Sequence, residues 1–328
     1  MDPLERRPLG SLQVSTVSLG AMSFGGGFSR ETKVDEDRAR VLVDTALDAG
    51  VNLIDSGETY GGGRSEEILG RVIRGRRDEV LVATKVGFAD LGPGALGYDR
   101  VISACEASLR RLAVEHIDLY QLHRADRTVP LEETLAALEQ LVTRGWIREF
   151  GVSNFHAWEI ARANGRQRAL GRPTINAFQA LYSLVTREIE HEILPYCRGD
   201  EVGVLVYRPL GGGLLTAWQD TDSAQGRRKF GAISRVSEDV LQAARTALDS
   251  IAAARGVSMA QVALAWLLAQ PGVTSAIVGA STVEQLQDNL AAASLRLSTD
   301  ELTALTSATQ LAPMYPATLD RSYGFAEP

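Results

Sequence analysis

The sequence VNLIDSGETYGGGRSEEILGRVIRGRRDEVLVATKV, residues 51–86, contains a complete strand–helix–strand unit. An apolar run at 51–57 leads into a glycine-rich loop, then a segment with helical spacing of apolar residues at 65–74, then a second apolar run at 79–86. Both runs are nearly continuous in apolar residues, which is typical of parallel strands covered by helices on both faces. The stretch therefore predicts one βα unit and the next strand of a parallel sheet.

The same alternation recurs along the whole chain. Strands are predicted at 15–22, 51–57, 79–86, 117–123, 147–155, 175–183, 202–210 and 274–280, and helices at 36–49, 65–74, 99–112, 131–143, 156–164, 187–198, 259–270 and 282–292. Eight βα units predict an α/β protein with a closed (β/α)8 barrel, the TIM barrel, and leave an open doubly wound sheet as the alternative. Because no linker-like tract divides the chain, we expect residues 1–328 to form a single barrel domain. The segment 211 to 236 is the one long loop, and such loops are usually functional.

Composition and charge indicate which kinds of binding partner and which cellular compartment to expect. The chain has 328 residues, 45% hydrophobic and 23% charged, with a net charge of −7, which indicates a globular protein and argues against nucleic acid as a partner. The absence of a signal-type N-terminus and of any run of 18 apolar residues argues against a membrane and predicts a cytoplasmic protein. Cys105 and Cys197 cannot make a disulfide framework, and no histidine spacing indicates a metal.

Polar residues end the predicted strands at a spacing of about one per βα unit. In a barrel of this kind the active site lies at the carboxyl ends of the strands. Singly, each residue has an ordinary structural explanation, such as a lysine reaching water or a histidine satisfied in the core. Together they predict one ring of groups at one mouth, formed by Asp55 with Tyr60, Lys85, His123, Ser153 with Asn154, Gln179, Tyr207 and Ser281.

Four of these groups form a predicted proton-donating unit. The ammonium of Lys85 is expected to lower the pKa of Tyr60, which is about 10 for an unperturbed tyrosine, while Asp55 holds the lysine. The imidazole of His123 can polarise a carbonyl oxygen. Such a unit suits the protonation of an alkoxide as a hydride arrives from a cofactor.

With these residues identified, the chain resembles the aldo-keto reductase superfamily over nearly its whole length. The motifs that carry the resemblance occur in the family's order: LIDSGETYG, VATK, LYQLHRAD, GVSNF, FQALYS, VYRPLGGGLLT and IVGASTVEQLQDNLAA. The resemblance implies an NADPH-dependent carbonyl reductase, with NADH possible as cofactor and a small-molecule carbonyl compound as substrate. It implies that the catalytic residues are Asp55, Tyr60, Lys85 and His123.

The resemblance also implies a set of cofactor-binding residues. Near the nicotinamide it implies Ser153, Asn154 and Gln179, with Tyr207 stacked on the ring. Near the pyrophosphate it implies Arg208, Pro209, Leu210, Gly213 and Leu215, and at the adenosine phosphate Gly279, Ser281, Gln285 and Asn289. The other implied residues are Gly20, Met22 and Asp55.

Two departures from the family's pattern affect the expected cofactor preference. Arg208 stands where the family often has serine, and Ser281 stands where it often has a basic residue. Because a guanidinium binds a phosphate about twice as strongly as neutral donors do, we expect NADPH to be favoured over NADH by only about ten- to a hundredfold.

Three other interpretations are weighed against the reductase. A regulatory subunit could keep the barrel and the nucleotide without catalysis, and a barrel lyase or isomerase could use Lys85 as a Schiff base. The segment GPGALG at 92–97 matches a dinucleotide fingerprint, but it does not follow a strand directly and contains Pro93, so a Rossmann site is not favoured. The sequence leaves open the physiological substrate, the oligomeric state and the role of the C-terminal tail.

Overall fold

A computed structural model describes residues 4–26, 33–88, 92–216 and 236–319. An N-terminal antiparallel hairpin, β1 (Arg6–Leu9) and β2 (Leu12–Ser15), precedes a closed barrel of eight parallel strands. The barrel strands are β3 (Val17–Gly20), β4 (Leu53–Asp55), β5 (Leu81–Val86), β6 (Ile117–Leu122), β7 (Ile147–Ser153), β8 (Ala177–Leu181), β9 (Gly203–Tyr207) and β10 (Val273–Val278). Since β10 pairs with both β3 and β9, the predicted (β/α)8 barrel is confirmed and the open sheet is wrong.

Helices cover the outside of the barrel. They are α1 (Glu36–Asp48), α2 (Arg64–Val72), α3 (Tyr98–Leu112), α4 (Leu131–Thr143), α5 (Ala157–Ala169), α6 (Ile193–Gly199), α7 (Glu238–Arg255), α8 (Met259–Leu268), α9 (Val283–Ala291) and α10 (Thr299–Ala308). Several begin at a residue whose side-chain oxygen accepts from a backbone N–H of the first turn, as preferred N-cap residues do: Asp35, Ser237, Ser258, Thr282 and Ser298.

The structure differs from the predicted elements in a few places. The hairpin and the helices α7 and α10 were not predicted, and the helix predicted at 187–198 is divided into a 3-10 turn, Glu188–Glu190, and α6. Of the predicted long loop 211 to 236, Gly211–Gly213 form a 3-10 turn, and residues 217–235 lie outside the described residues.

Within the described ranges, no single helix is long and apolar enough to cross a membrane; only α7 and α8 taken together have that length and composition, and this pair is bent by 103°.

The barrel interior is arranged in layers because alternate residues of each strand point inward. A lower apolar layer is formed by strand side chains together with three side chains of the hairpin: Leu53, Ala83, Leu119, Ala177, Leu205 and Ile277, with Leu9, Leu12 and Val14. Two residues further along four of these strands, the inward positions are polar: Asp55, Lys85, Gln121 and Gln179. The hairpin therefore closes one end of the barrel, and a polar layer lies toward the carboxyl ends of the strands.

Candidate active site

Lys85 is the centre of the polar layer. It is fully buried, and its Nζ donates to Asp55 Oδ2 at 2.5 Å, to the Ser56 carbonyl at 2.7 Å and to Tyr60 Oη at 3.3 Å. These three bonds use all three hydrogens that an ammonium can offer. The charge of Lys85 is thus balanced by the carboxylate of Asp55, and the lysine ties that carboxylate to the phenol of Tyr60.

The loop that follows β4 folds back and places the Tyr60 ring next to Lys85, with Lys85 Nζ 4.9 Å from the ring centroid. Tyr60 begins a 3-10 turn, Tyr60–Gly63, in which Gly61 has a φ of 59°, a conformation that favours glycine. The ring packs on Gly57 so closely that a Cβ there would lie 3.3 Å from it. Behind the turn, the Ser65 hydroxyl donates to the Ala21 carbonyl at 2.7 Å and pairs with the Ser56 hydroxyl at 2.8 Å. Ser65 was not predicted, and it fixes the loop that carries Tyr60.

His123 lies beside Tyr60 at the carboxyl end of β6. The ring centroids of His123 and Tyr60 are 5.7 Å apart and nearly perpendicular, and Phe88 lies 4.6 Å from His123 on centroids. Burial, helped by the charge of Lys85, lowers the pKa of His123 to about 3. The imidazole is therefore neutral at physiological pH. Among the described residues, its Nδ1 is buried without a hydrogen-bond partner.

The proton affinity of Tyr60 differs from the sequence expectation. Burial raises the pKa of Tyr60, and this effect outweighs the lowering by Lys85, in part because Asp55 raises it as well. For Lys85 itself, burial favours the neutral form, but Asp55 and Tyr60 together raise its pKa. Lys85 acts in the expected direction, but the expected net lowering of the Tyr60 pKa is wrong, and the phenol keeps its proton at physiological pH.

Two glutamine side chains hold the other oxygen of Asp55. Its Oδ1 accepts from Gln121 Nε2 at 3.1 Å and from Gln179 Nε2 at 2.9 Å, and Gln179 Nε2 also donates to Gln121 Oε1 at 3.1 Å. Sequence reasoning included Gln179 but missed Gln121. The signal was present, since Leu119, Gln121 and His123 alternate along β6 and so share its inward face.

The residues expected at the nicotinamide lie on the strands next to this network. Asn154 has a φ of 59°, and its Nδ2 donates to the His123 carbonyl at 3.0 Å and to Ser153 Oγ at 2.9 Å. The Tyr207 hydroxyl donates to Asn154 Oδ1 at 3.0 Å. The side-chain amides and the hydroxyl have both donors and acceptors, and they suit a carboxamide attached to an aromatic ring. The structure thus brings Ser153, Asn154 and Tyr207 together beside His123.

The residues expected near the pyrophosphate follow β9. Arg208 has a φ of 52°, and its charge acts on both Tyr60 and Tyr207 by lowering their pKa values, although burial leaves both raised. Pro209 and Leu210 lead into the 3-10 turn that contains Gly213. Leu215 is fully buried in the core, so its contribution is to packing.

The residues expected at the adenosine phosphate lie at the start of α9. The Ser281 N–H donates to Gln285 Oε1 at 2.9 Å, and the Thr282 hydroxyl accepts from Gln285 N. Asn289 is buried in α9, and Gly279 is exposed before the helix. No lysine or arginine occurs at 279–289, and Glu284 lies in the first turn, which makes this helix terminus a weak site for a dianionic phosphate.

The remaining predicted residues lie at the first barrel strand. Gly20 ends β3 beside Asp55 of β4, and Met22 is 38% exposed just beyond it. Within the described ranges, no group of three or more His, Cys, Asp or Glu side chains is arranged to hold a metal ion. Cys105 and Cys197 are buried, and burial raises the pKa of each thiol to about 12, which makes them poor nucleophiles.

Comparison with known proteins assigns the chain to a family. The family described as Aldo/keto reductase family matches residues 16–310. The uncharacterized oxidoreductase YqkF of Bacillus subtilis is 34% identical over 94% of this chain and 97% of its own length. The aldo-keto reductase ausK of Emericella nidulans is 33% identical over 94% and 82%, and a probable voltage-gated potassium channel subunit beta of Arabidopsis thaliana is 32% identical over 86% and 88%. The chain belongs to the aldo/keto reductase family of NAD(P)H-dependent oxidoreductases.

Proposed function

We propose that this protein reduces the carbonyl group of a small-molecule aldehyde or ketone to an alcohol, with NADPH as the preferred cofactor. Residues at the carboxyl ends of β7, β8 and β9 would hold the nicotinamide of the cofactor, and the cofactor would supply a hydride for the carbonyl carbon. Tyr60 donates the proton to the carbonyl oxygen, and the neutral imidazole of His123 polarises that oxygen. Lys85 and Asp55 hold the phenol in place and balance the charge that develops on it.

The observation that carries the proposal is the continuous contact from Asp55 through Lys85 to Tyr60. Both ion-pair partners are buried, so their attraction is screened little by water. A buried lysine with three hydrogen bonds is a costly arrangement to maintain for structure alone. Because Lys85 contacts the phenol oxygen itself, the arrangement supports a role for Tyr60 as the proton donor.

Replacing the Tyr60 hydroxyl tests the proposal. We expect Tyr60→Phe to lower kcat for carbonyl reduction by about 10² to 10⁴, the usual contribution of a general acid, while the Kd for NADPH stays unchanged. Tyr315→Phe, at a tyrosine that is 78% exposed, is the matched control and should keep full activity. Near-normal turnover of Tyr60→Phe would remove Tyr60 from the chemistry.

A regulatory role without catalysis is the second candidate, and the Arabidopsis relative named as a potassium channel subunit favours it. The side chains of Asp55, Lys85, Tyr60 and His123 are all present and lie next to one another, which supports catalysis instead. Consumption of NADPH in the presence of a reactive aldehyde such as 4-nitrobenzaldehyde separates the two. If the protein binds NADPH but consumes none with a panel of aldehydes, quinones and keto-sugars, the regulatory role replaces the reductase.

A lyase or isomerase mechanism through a Schiff base is disfavoured by the state of Lys85. A Schiff base requires a neutral amine, whereas Asp55 and Tyr60 raise the pKa of Lys85 in spite of its burial. All three ammonium hydrogens are also engaged. Treatment with borohydride and a carbonyl compound should therefore leave Lys85 unmodified.

A further inference from the structure

We propose that Gln121 is a positioning residue that orients both the proton-donating network and the amide of Gln179. The inference rests on the proposed reductase function. Gln121 is fully buried in the barrel interior, between Leu119 and His123 on β6, and it contacts no solvent. Its side chain donates to Asp55 and accepts from Gln179. It thus connects the proton-donating network, which would face the substrate, with Gln179, which would face the cofactor.

The orientation of the two amides follows from the chemistry of Asp55. An ionised carboxylate only accepts hydrogen bonds, so both glutamines must turn their Nε2 groups toward it. Gln179 Nε2 has two hydrogens, and it uses one for Asp55 Oδ1 and the other for Gln121 Oε1. Gln179 therefore has only its carbonyl oxygen left for a ligand.

This arrangement gives Gln179 a defined specificity. A carbonyl oxygen accepts from the amino group of a carboxamide, which is the polar group on a nicotinamide ring. Without the acceptor on Gln121, Gln179 is held by a single bond to Asp55, and the plane of its amide is less constrained. Gln121 thereby orients the carbonyl oxygen of Gln179 toward the cofactor without contacting the cofactor itself.

Gln121 also acts on the other side of the network. Its Nε2 hydrogen partly balances the negative charge of Asp55, the carboxylate that in turn contacts Lys85. Loss of this donor would leave the charge of Asp55 less balanced, and the protons of Lys85 and Tyr60 would be held more tightly. In Gln121→Glu, by contrast, a buried carboxyl in contact with the Asp55 carboxylate keeps its proton, so it can still donate to Asp55 and accept from Gln179 at the size and shape of glutamine.

Two substitutions test this role. Gln121→Met removes both hydrogen bonds at similar volume, and we expect the Kd for NADPH to rise about five- to twentyfold, measured by fluorescence titration without turnover. The same change should move the alkaline limb of kcat/KM for carbonyl reduction upward, because Asp55 loses a donor. Gln121→Glu keeps both bonds while its carboxyl is protonated, so its Kd for NADPH at neutral pH should stay within about twofold of the wild type. Gln167→Met is the control, because Gln167 is also buried and bonded, to the Pro173 carbonyl, on the outer helix α5.

A purely structural role for Gln121 predicts a different result. In that case Gln121→Met and Gln167→Met would both lower the thermal midpoint while leaving the Kd for NADPH and the pH profile as in the wild type, and the proposal would be overturned. A Kd for NADPH that rises as much in Gln121→Glu as in Gln121→Met would overturn it as well. If Gln121→Met does not fold, Gln121→Leu, which also removes both hydrogen bonds, carries the test. Because the Kd is measured without a substrate, failure of the proposed carbonyl reduction would show separately, as a wild-type protein that binds NADPH but reduces nothing.

Discussion

Burial decides the proton affinity of Tyr60, and burial is a property that the sequence does not display. The presence of a phenol, an ammonium and a carboxylate at three strand ends could be predicted from their spacing. The direction of the Tyr60 pKa could not, because it depends on how completely the ring is removed from water. Gln121 was missed for a different reason: its alternation with Leu119 and His123 marks it as inward-facing, but it lies before the strand end, where the functional groups were expected.

At the residue scale, the pKa shifts predict the pH dependence of carbonyl reduction. Tyr60 must be protonated to donate, so activity is present below its pKa and is lost as the pH rises through a value above the ordinary 10.0. His123, with a pKa of about 3, should give no acid limb between pH 5 and pH 8. A profile of kcat/KM from pH 5 to pH 11 checks both statements. An acid limb near 6.5 that disappears in His123→Asn would contradict the expected state of the imidazole.

Position 281 allows a test of the cofactor preference. We expect the ratio of kcat/KM for NADPH over NADH to be about ten to one hundred in the wild type, because backbone N–H groups at a helix start bind phosphate without a guanidinium. Ser281→Arg should raise that ratio about tenfold. Thr299→Arg, at the start of α10, serves as a control for added charge. An equal preference in the wild type that Ser281→Arg does not alter would show that residues 279–289 do not bind the phosphate.

At the scale of elements, the strands and most helices could be predicted because their apolar periodicity is strong. The strands are shorter than predicted, since an apolar run continues into the loop after the last paired residue, as in residues 147–155 against Ile147–Ser153. The helix α7 was missed although Ser237 and Gly256 mark its ends, because the preceding segment lacks any pattern. The hairpin was missed because its two strands have only four residues each.

Two helix glycines give a prediction about packing between elements. A Cβ at Gly70 in α2 would lie 2.2 Å from the Leu112 carbonyl oxygen of α3, whereas a Cβ at Gly165 in α5 would contact nothing within 4 Å. We expect Gly70→Ala to destabilise the protein by about 1–3 kcal/mol through overpacking. Gly165→Ala should stabilise it by about 0.5–1 kcal/mol through helix propensity. Urea unfolding of both variants checks the contrast, and equal effects would contradict it.

At the scale of the whole molecule, closure of the barrel was predictable from the count of βα units, whereas the attachment of α10 was not. One hydrophobic cluster extends from Val17 in β3 to Leu305 in α10. Arg187, which is 7% exposed, donates to the Thr306 and Thr309 carbonyls at the end of α10, and its guanidinium lies 5.5 Å from the Trp266 ring centroid. Contacts between residues more than a hundred positions apart leave no pattern in the sequence. That residues 1–328 form one domain stays a prediction.

The attachment of α10 can be measured by replacing two arginines that contact it. Arg187 donates to the Thr306 carbonyl near its end, and Arg255 pairs with Glu301 in its first turn. Arg187→Met removes a buried guanidinium bonded to Glu190 and to the helix end, and we expect a loss of about 2–4 kcal/mol in the free energy of unfolding. Arg255→Met removes an exposed pair with Glu301 of the same helix, and we expect a clearly smaller loss than for Arg187→Met, because water screens an exposed ion pair. Similar losses in urea unfolding would mean that Arg187 does not anchor the helix.

The apolar layer beneath Lys85 limits the routes open to a proton under the proposed function. Hydrocarbon side chains of six strands and of the hairpin lie between the network and the closed end of the barrel. The hydroxyls of Ser18 and Ser275 are also buried between β3 and β10, but they pair with each other at 2.6 Å, and within the described residues no hydrogen bond joins them to Lys85, Asp55 or Tyr60. With Tyr60 as the proposed donor, each proton that it gives up would return from the side by which substrates enter and products leave. Reprotonation of Tyr60 and exchange of ligands would then occur through the same mouth of the barrel, so a new turnover could begin only after that mouth has been open to water.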